Sequence, residues 1–316
     1  MSGGPVGRFA PSPSGRMHLG NLFSSLLAWL SAKSAGGRIV LRLEDLDTQR
    51  CTRAFAAQVE ADYRALGLLW DEGGSGGGPN GPYFQSERGE RYAAALERLR
   101  RMGLVYPCFC TRAQLHAASA PHREDGQTVY SGACRALTAQ EAALRARTRS
   151  PALRLRVPEK TVLFTDGHLG PYAEDLAREC GDFLLRRSDG LWAYQLAVVV
   201  DDGAMGVTQV VRGSDLLSST PRQLYLYELL GLTPPEFYHV PLLLAADGRR
   251  LSKRDGDLSL DALLSRMTAE ELVGRLALLA GLNPGGGPRT PESLLPDFDW
   301  EKVPRRDITV PERLFS

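Results

Sequence analysis

The sequence has few cysteines and no long apolar segment, and each shortage excludes a class of protein. Five cysteines in 316 residues, an odd number with three of them grouped, do not form the disulfide framework of a small secreted protein. The apolar run Leu22–Leu30 is too short to span a membrane, and no secretory pattern precedes it. We therefore expect a cytoplasmic protein with reduced thiols and no membrane partner.

The charge balance is nearly neutral, with a formal net charge of +1 and no basic tail. Contacts to nucleic acid would have to come from local arginine patches in 98–101 and 145–149, although exposed helix faces explain these equally well. Only four of the 38 basic residues are lysines, which makes Lys253 more notable. A hydrophobic content of 43% is sufficient for a large core in two or three units.

Apolar periodicity predicts an α/β fold in which strands and helices alternate. Predicted strands are Val6–Ala10, Arg38–Leu43, Leu153–Val157, Trp192–Val200, Gly206–Arg212 and Tyr238–Leu244. Predicted helices are Leu19–Ser34, about Thr52–Leu66, about Ser86–Met102, a helix opened by Ser219-Thr220-Pro221 and a helical remainder to about Gly281. Gly73–Gly81 is predicted to be a flexible surface loop.

The pattern predicts a Rossmann-like α/β domain in two halves, 1–107 and 182–244, separated by an inserted subdomain at 108–181. Residues 245–316 are expected to hold a lysine loop and a helical region. Glu44-Asp45-Leu46-Asp47 follows a predicted strand, which places its carboxylates at the edge of a parallel sheet where ligands of open α/β folds bind.

Two motifs carry most of the chemical information. The first runs from Arg8 through Pro11-Ser12-Pro13 to His18-Leu19-Gly20-Asn21, and the second is Arg250-Leu251-Ser252-Lys253-Arg254. A glycine at a strand-to-helix turn lets a nucleotide approach bare backbone, with its phosphates near free helix N–H groups. A mobile cation such as Lys253 can stabilise a leaving pyrophosphate. Either motif alone is weak, and their order strengthens both.

In order and wording these motifs resemble the HIGH and KMSKS elements of class I aminoacyl-tRNA synthetases, in the glutamyl branch. Three further blocks resemble glutamyl-tRNA synthetases in the same order, namely Leu43–Asp47, Pro82–Ser86, and Tyr194–Asp202 followed by Val211–Leu216. The resemblance implies that ATP, with Mg²⁺, activates glutamate. The implied catalytic residues are His18, Gly20 and Lys253, and the implied ATP-binding residues are His18, Gly20, Asn21, Ser252 and Lys253.

Glutamate carries an ammonium and two carboxylates, and each buried charge requires an opposite charge. Arg8 and Arg212 can bind carboxylates and Glu44 can pair with the ammonium. In the related glutaminyl enzymes the position matching Arg212 is not arginine, so Arg212 favours the acid over the amide. The residues expected to contact glutamate are Arg8, Ala10, Ser12, Glu44, Tyr194 and Arg212.

Three cysteines lie close together in sequence, at Cys108, Cys110 and Cys134. A structural zinc requires four ligands, and the fourth is open among His116, His122 and Tyr130. Chemistry alone favours a histidine. Three ordinary buried cysteines are the alternative to a metal site.

The cysteine group and the short C-terminal region together resemble the glutamyl-Q tRNA(Asp) synthetases, which lack an anticodon-binding domain. That resemblance favours Tyr130 as the fourth ligand of one structural zinc, and implies a monomer. It further implies that glutamate is transferred to queuosine in tRNA(Asp). Two alternatives stay open, a shortened glutamyl-tRNA synthetase that charges a 3′ end and a catalytically silent RNA-binding paralogue.

Overall fold

The computed structural model describes residues 3–117, 129–249, 251, 258–311 and 313–315. The strands are β1 (Val6–Phe9), β2 (Arg38–Leu41), β3 (Glu72–Gly73), β4 (Val105–Cys108), β5 (Ala152–Leu155), β6 (Thr161–Asp166), β7 (Gly170–Asp175), β8 (Phe183–Arg186), β9 (Gln209–Gly213), β10 (Glu236–Val240), β11 (Leu243–Leu244) and β12 (Ile308–Thr309). The helices are α1 (Leu19–Ser34), α2 (Arg53–Ala65), α3 (Gly89–Arg101), α4 (Arg112–Ala117), α5 (Ala139–Ala146), α6 (Tyr194–Ala204), α7 (Thr220–Leu230), α8 (Leu260–Leu264), α9 (Ala269–Leu279) and α10 (Pro291–Leu294).

A parallel sheet forms the centre of the molecule. β1 pairs with β2, β2 with β3, and β9 with β10, all in parallel register. β9 lies beside β1, where the Thr208 amide donates to the Val6 carbonyl at 2.9 Å. The predicted α/β fold is therefore confirmed, and the carboxyl ends of β1, β2 and β9 meet at one edge.

Both faces of this sheet are covered, because successive strand residues point to opposite sides. On β2, Ile39 and Leu41 pack into the core that contains α1 and α9, whereas Val40 packs into the core that contains α3, α6 and α7. All three side chains are fully buried. Helix α1 has the predicted bounds. Among the described residues, none of the helices has the length and apolarity needed to cross a membrane.

The prediction of a strand at Trp192–Val200 is wrong, because Tyr194–Ala204 forms helix α6. Its three consecutive valines favour a strand locally. The helix instead lets two adjacent carboxylates, Asp201 and Asp202, approach the same buried guanidinium of Arg42 at 3.9 and 2.5 Å. In a strand these neighbours would point to opposite faces. Tertiary pairing of charge therefore overrides the local preference.

Smaller differences occur at element ends. The predicted strand Tyr238–Leu244 is interrupted after Val240, so β10 and β11 are separate. The strand predicted from Gly206 begins at Gln209, since Gly206 adopts a positive φ of 65° that ends the preceding turn. Helix α7 begins at Thr220 as predicted, but the Ser219 side chain makes no cap and bonds Gln195 instead.

The strands from β4 to β8 pair antiparallel, unlike those of the central sheet. β4 pairs with β5 and β5 with β8, and β6 and β7 form a hairpin. The predicted strand Leu153–Val157 is present as β5. The hairpin turn lies against the parallel sheet, where the Gly167 amide donates to the Phe237 carbonyl of β10 at 2.8 Å. The β6–β7 hairpin therefore contacts the parallel sheet at β10.

The glycine-rich stretch Gly73–Gly81 includes a closely packed part. The Glu60 carboxylate of α2 accepts the Ser75 amide and the Ser75 hydroxyl, both at 2.6 Å. Gly73 belongs to β3 and has φ 106° and ψ −168°, a conformation available almost only to glycine. A Cβ on Gly73 would lie 2.1 Å from the Leu41 carbonyl oxygen.

We predict that Gly73→Ala lowers the free energy of unfolding by at least about 2 kcal/mol, because it combines a strained φ with a backbone clash. Gly76→Ala in the same stretch is the matched control, since a Cβ there meets no atom of the described residues within 4 Å. Urea unfolding of the two variants measures the difference. Equal stability would contradict a packed role for Gly73.

Candidate functional site

A cavity of about 480 Å³ opens at the edge where β1, β9 and α1 meet. Its lining includes every predicted glutamate and nucleotide residue that the structure describes. These are Arg8, Ala10, Ser12, His18, Gly20, Asn21, Glu44, Tyr194 and Arg212. The cavity therefore brings residues of the first motif together with Glu44 after β2, Tyr194 of α6 and Arg212 of β9.

The first motif forms the start of α1. His18 is the N-cap residue, with an extended backbone, and its carbonyl accepts the amides of Asn21 and Leu22. The N–H groups of Leu19 and Gly20, which begin the helix, have no acceptor within the helix and favour an anion. Among the residues that the structure describes, a Cβ on Gly20 would meet only the His18 ring, at 3.5 Å, which is an ordinary contact. The protein itself therefore tolerates a side chain at Gly20, and the bare backbone there leaves room for a ligand.

The loop after β1 is held against the end of β2. The Glu44 amide donates to the Pro11 carbonyl at 2.9 Å, and the Ser14 amide donates to the Ser12 carbonyl at 2.8 Å. The bond between Glu44 and Pro11 holds the loop that contains Ala10 and Ser12 next to Glu44 in the lining of the cavity. The carboxylate of Asp45 accepts the amide and hydroxyl of Ser86, at 2.9 and 2.6 Å, which joins two of the sequence blocks.

Buried charges surround the inner end of the cavity. The Arg8 guanidinium donates to the Val211 carbonyl at 3.1 Å and lies 3.9 Å from Asp202. Glu44 is paired with Arg42 at 3.1 Å. Burial raises the pKa of Glu44 despite the opposing effect of Arg42 and Arg8. An ammonium group bound beside Glu44 would lower that pKa again, so a cationic ligand group suits this position.

Arg212 projects from β9 and is 5% exposed. Its Nε donates to His239 Nε2 at 3.0 Å, and its Nη2 donates to the Thr220 hydroxyl at 2.8 Å and the Leu216 carbonyl at 3.3 Å. Nη1 has no hydrogen-bond partner within the described part of the chain. Burial, together with the positive charge of Arg8, lowers the pKa of Arg212. An anion bound at Arg212 would reverse both effects.

Tyr194 begins α6 and completes the cavity between Glu44 and Arg212. Burial raises the pKa of its hydroxyl, so the phenol stays protonated and able to donate a hydrogen bond.

Ser252 and Lys253 lie outside the described residues. The residues on either side of them are placed. Leu251 lines the cavity, and Ser259 forms a β-bridge with His18. The Leu260 amide also donates to the Met17 carbonyl at 3.1 Å. Both flanks of the second motif therefore adjoin the first motif.

The cysteines predicted to hold a metal converge near β4, away from this cavity. The Sγ atoms of Cys108, Cys110 and Cys134 lie within 4.8 Å of one another, and Cys110 and Cys134 are 3.6 Å apart. The Tyr130 hydroxyl lies 3.4 Å from Cys108 Sγ and 3.7 Å from Cys110 Sγ. The cluster could therefore hold a metal ion.

Electrostatics distinguish the three thiols. Burial opposes ionisation of Cys108, but the Tyr130 hydroxyl, the Cys110 amide and Arg154 outweigh it and lower the pKa of this thiol. The pKa of Cys110 is raised to about 11, mainly because this thiol is buried. Of the two histidine candidates, His122 lies outside the described residues, and the side chain of His116 is not described.

Sequence reasoning missed three residues around the site. Asp202 pairs with Arg42 and Arg8, His239 accepts from Arg212, and Asp166 accepts from His239 Nδ1 at 2.6 Å. Asp202 was part of a quoted block, which was a usable signal for a buried acid. Asp166 and His239 are 73 residues apart and carried no local signal.

Comparison with known proteins gives one consistent family. The family model of class I tRNA synthetases (E and Q), catalytic domain, matches residues 6–286. The glutamyl-Q tRNA(Asp) synthetase of Nitratidesulfovibrio vulgaris is 51% identical over 308 residues, covering 96% of this chain and 95% of that protein. The glutamate–tRNA ligase of Heliobacterium modesticaldum is 39% identical over 300 residues, covering 94% of this chain and 60% of that protein.

A solved structure agrees with the sequence comparisons. The crystal structure of glutamate-tRNA synthetase from Elizabethkingia anophelis has a TM-score of 0.84 to this chain at 27% identity, covering 99% of this chain and 69% of that one. The predicted class I catalytic fold is therefore confirmed. The chain belongs to the class I tRNA synthetases of the E and Q group.

Proposed function

We propose that this ligase activates L-glutamate with ATP and transfers the glutamyl group to queuosine in tRNA(Asp). The observation that carries the proposal is the cavity that places Arg8, Arg212 and Glu44 beside the start of α1. Membership of the class I family implies ATP as a substrate. The name of the relative from N. vulgaris supports the acceptor.

Glutamate fits the charges of the inner cavity. Arg212 is the cation for the γ-carboxylate, since its described partners are neutral or formally uncharged groups, namely an imidazole, a hydroxyl and a carbonyl. Glu44 binds the ammonium, and Arg8 and Tyr194 complete the site. Ala10 and Ser12 border the substrate from the loop after β1.

ATP occupies the outer cavity in this proposal. Gly20 gives it bare backbone, Asn21 borders it, and His18 with the helix N–H groups faces the phosphates. Ser252 and Lys253 contact the phosphates, which the placement of Leu251 and Ser259 beside the first motif supports. Mg²⁺ accompanies the nucleotide. The α-carboxylate of glutamate attacks the α-phosphorus, and Lys253 stabilises charge that moves onto pyrophosphate.

The protein needs no covalent nucleophile in this reaction, because glutamyl adenylate is itself the activated acyl donor. Catalysis then consists of positioning the carboxylate and ATP and of stabilising developing charge. The acceptor hydroxyl lies on queuosine. A 3′-terminal hydroxyl is the competing acceptor, which the relative named glutamate–tRNA ligase favours.

We predict that glutamate-dependent ATP–pyrophosphate exchange proceeds without tRNA. Labelled glutamate should then be recovered, after nuclease digestion of tRNA(Asp), on the queuosine nucleotide. Unmodified tRNA(Asp) lacking queuosine is the matched control and should accept none. Exchange that appears only with tRNA, together with label at the 3′ end, would replace this proposal with the 3′-charging function.

We predict that Arg212→Cys raises the free-energy barrier to glutamate activation by about 3 to 5 kcal/mol, because a γ-carboxylate would be buried without its counter-charge. Glutamine, whose amide carries no charge, should lose far less. The ratio of kcat/KM for glutamate to that for glutamine is the measurement, since it cancels general damage to the fold. An equal loss for both amino acids would exclude Arg212 as the γ-carboxylate ligand.

We propose that Cys108, Cys110, Cys134 and Tyr130 hold one structural Zn²⁺. In this proposal the metal lies in an inserted subdomain at 108–181, between the catalytic halves 1–107 and 182–244. Residues 245–316 then form a region that contacts the tRNA stem. Tetrahedral zinc with Zn–S bonds near 2.3 Å requires sulfur atoms about 3.8 Å apart. The Cys110–Cys134 separation of 3.6 Å fits this geometry. The Arg154 guanidinium lies 3.8 Å from the centre of the Tyr130 ring, but burial raises the pKa of the Tyr130 hydroxyl, so a bound metal ion would have to displace its proton.

The purified protein should contain about one zinc per chain, measured by elemental analysis. Cys134→Ser should release the metal, whereas Cys180→Ser, a buried cysteine outside the cluster, should retain it. Tyr130→Phe should weaken zinc retention against a chelator, and His116→Ala and His122→Ala should leave it unchanged. Stoichiometric zinc in a variant that lacks all three clustered cysteines would refute the site.

A further inference from the structure

A chain of three buried side chains leads from the inserted hairpin to the cavity. Asp166 ends β6, His239 lies on β10 and Arg212 lies on β9. Asp166 Oδ2 and His239 Nδ1 are 2.6 Å apart, and His239 Nε2 and Arg212 Nε are 3.0 Å apart. Asp166 is 2% exposed and His239 is fully buried. Of the three, Arg212 alone lines the cavity.

The donors in this chain determine the tautomer of His239. An arginine nitrogen can only donate, so Nε2 of His239 must be the unprotonated acceptor. The ring proton therefore resides on Nδ1 and is donated to the Asp166 carboxylate. The hydroxyl of Thr220 accepts from Arg212 Nη2 at 2.8 Å and lies 3.3 Å from the same His239 Nε2, to which it can donate its own proton.

The carboxylate of Asp166 is itself held in one orientation. Its Oδ1 accepts three backbone amides, those of His168, Leu169 and His239, at 3.0, 2.8 and 3.2 Å. Oδ2 is thereby left for the imidazole. Burial opposes ionisation of Asp166, but the His239 imidazole and these amides outweigh it and lower its pKa. The acceptor facing Nδ1 is therefore a carboxylate.

We propose that Asp166 and His239 are positioning residues for glutamate recognition, with Asp166 fixing the His239 proton on Nδ1 so that Nε2 orients the Arg212 guanidinium toward the substrate carboxylate. This inference rests on the proposed role of Arg212. Through Asp166, the β6–β7 hairpin would then contribute to the selection of the amino acid. The Leu216 carbonyl and the Thr220 hydroxyl fix Nη2 of Arg212, and His239 fixes the remaining rotation at Nε.

Asp166→Asn is the sharpest test because it changes one atom outside the cavity. The three backbone amides keep the amide oxygen at the Oδ1 position, so the new NH₂ group replaces Oδ2 and donates to His239 Nδ1. The ring proton must then move to Nε2, where it opposes the Nε–H of Arg212. Glu174→Gln is the matched control, since it changes a buried carboxylate of the same hairpin that accepts from Tyr172 and Cys180.

In Asp166→Asn we expect kcat/KM for glutamate to fall at least about tenfold, mainly through KM, with a smaller change for glutamine. Imidazole ¹⁵N NMR should show the His239 proton on Nδ1 in the parent and on Nε2 in the variant. Glu174→Gln should leave both the specificity ratio and the His239 signals unchanged. A purely structural role would lower stability without moving the tautomer or the ratio.

Substitutions of His239 give an independent test if Asp166→Asn does not fold. His239→Phe keeps the ring that stacks on Phe237 but removes the acceptor, and should lower the glutamate-to-glutamine ratio. His239→Gln can place an amide oxygen near the Nε2 position and should recover part of that loss. An unchanged ratio in His239→Phe, or in Asp166→Asn with its tautomer reversed, overturns the proposal. An unchanged ratio in Arg212→Cys instead refutes the proposed function of Arg212.

Discussion

The buried pairing of Arg42 with three acids, Glu44, Asp201 and Asp202, is the interaction on which the rest of the site depends. Arg42 is fully buried and lies 2.5 Å from Asp202 and 3.1 Å from Glu44. Burial opposes its charge, yet the acids outweigh burial and raise the pKa of Arg42. Removing one member of such a group leaves a desolvated charge, which costs about 3 to 5 kcal/mol. The end of β2 and helix α6 are therefore locked together.

The same network fixes the position of Tyr194. Helix α6 has no side-chain cap at its N-terminus, so local sequence does little to hold its start. Its far end is anchored instead, since Asp201 accepts from Arg88 at 2.5 Å, from Tyr92 at 2.7 Å and from Gln85 at 2.8 Å. These bonds join α6 to α3 and to the segment before it. Tyr194 at the start of the helix thus occupies a defined place in the cavity.

Local signals in the sequence were enough for the first motif and for α1, but not for α6. The turn after β1 and the helix after His18 are encoded by adjacent residues, so their bounds and their place at the sheet edge could be predicted. The valines before Asp201 favour a strand on their own, and only Arg42, 160 residues before Asp202, explains the helix. His239 and Asp166 likewise acquire meaning only after folding places them 2.6 Å apart. What sequence patterns lacked was long-range charge pairing.

The distribution of that pairing explains how the cavity can prefer an acid to an amide. Among the described residues, Arg8 has a carboxylate within 4 Å, at Asp202, whereas Arg212 has no acidic group at that distance and contacts neutral groups. If Asp166 contacted Arg212 directly, it would neutralise the guanidinium and weaken its attraction for a ligand carboxylate. The neutral ring of His239 between them passes on the orientation set by Asp166 while it keeps the negative charge one ring away. Arg212 therefore stays both oriented and electrostatically unpaired, which is the condition for selecting glutamate by charge.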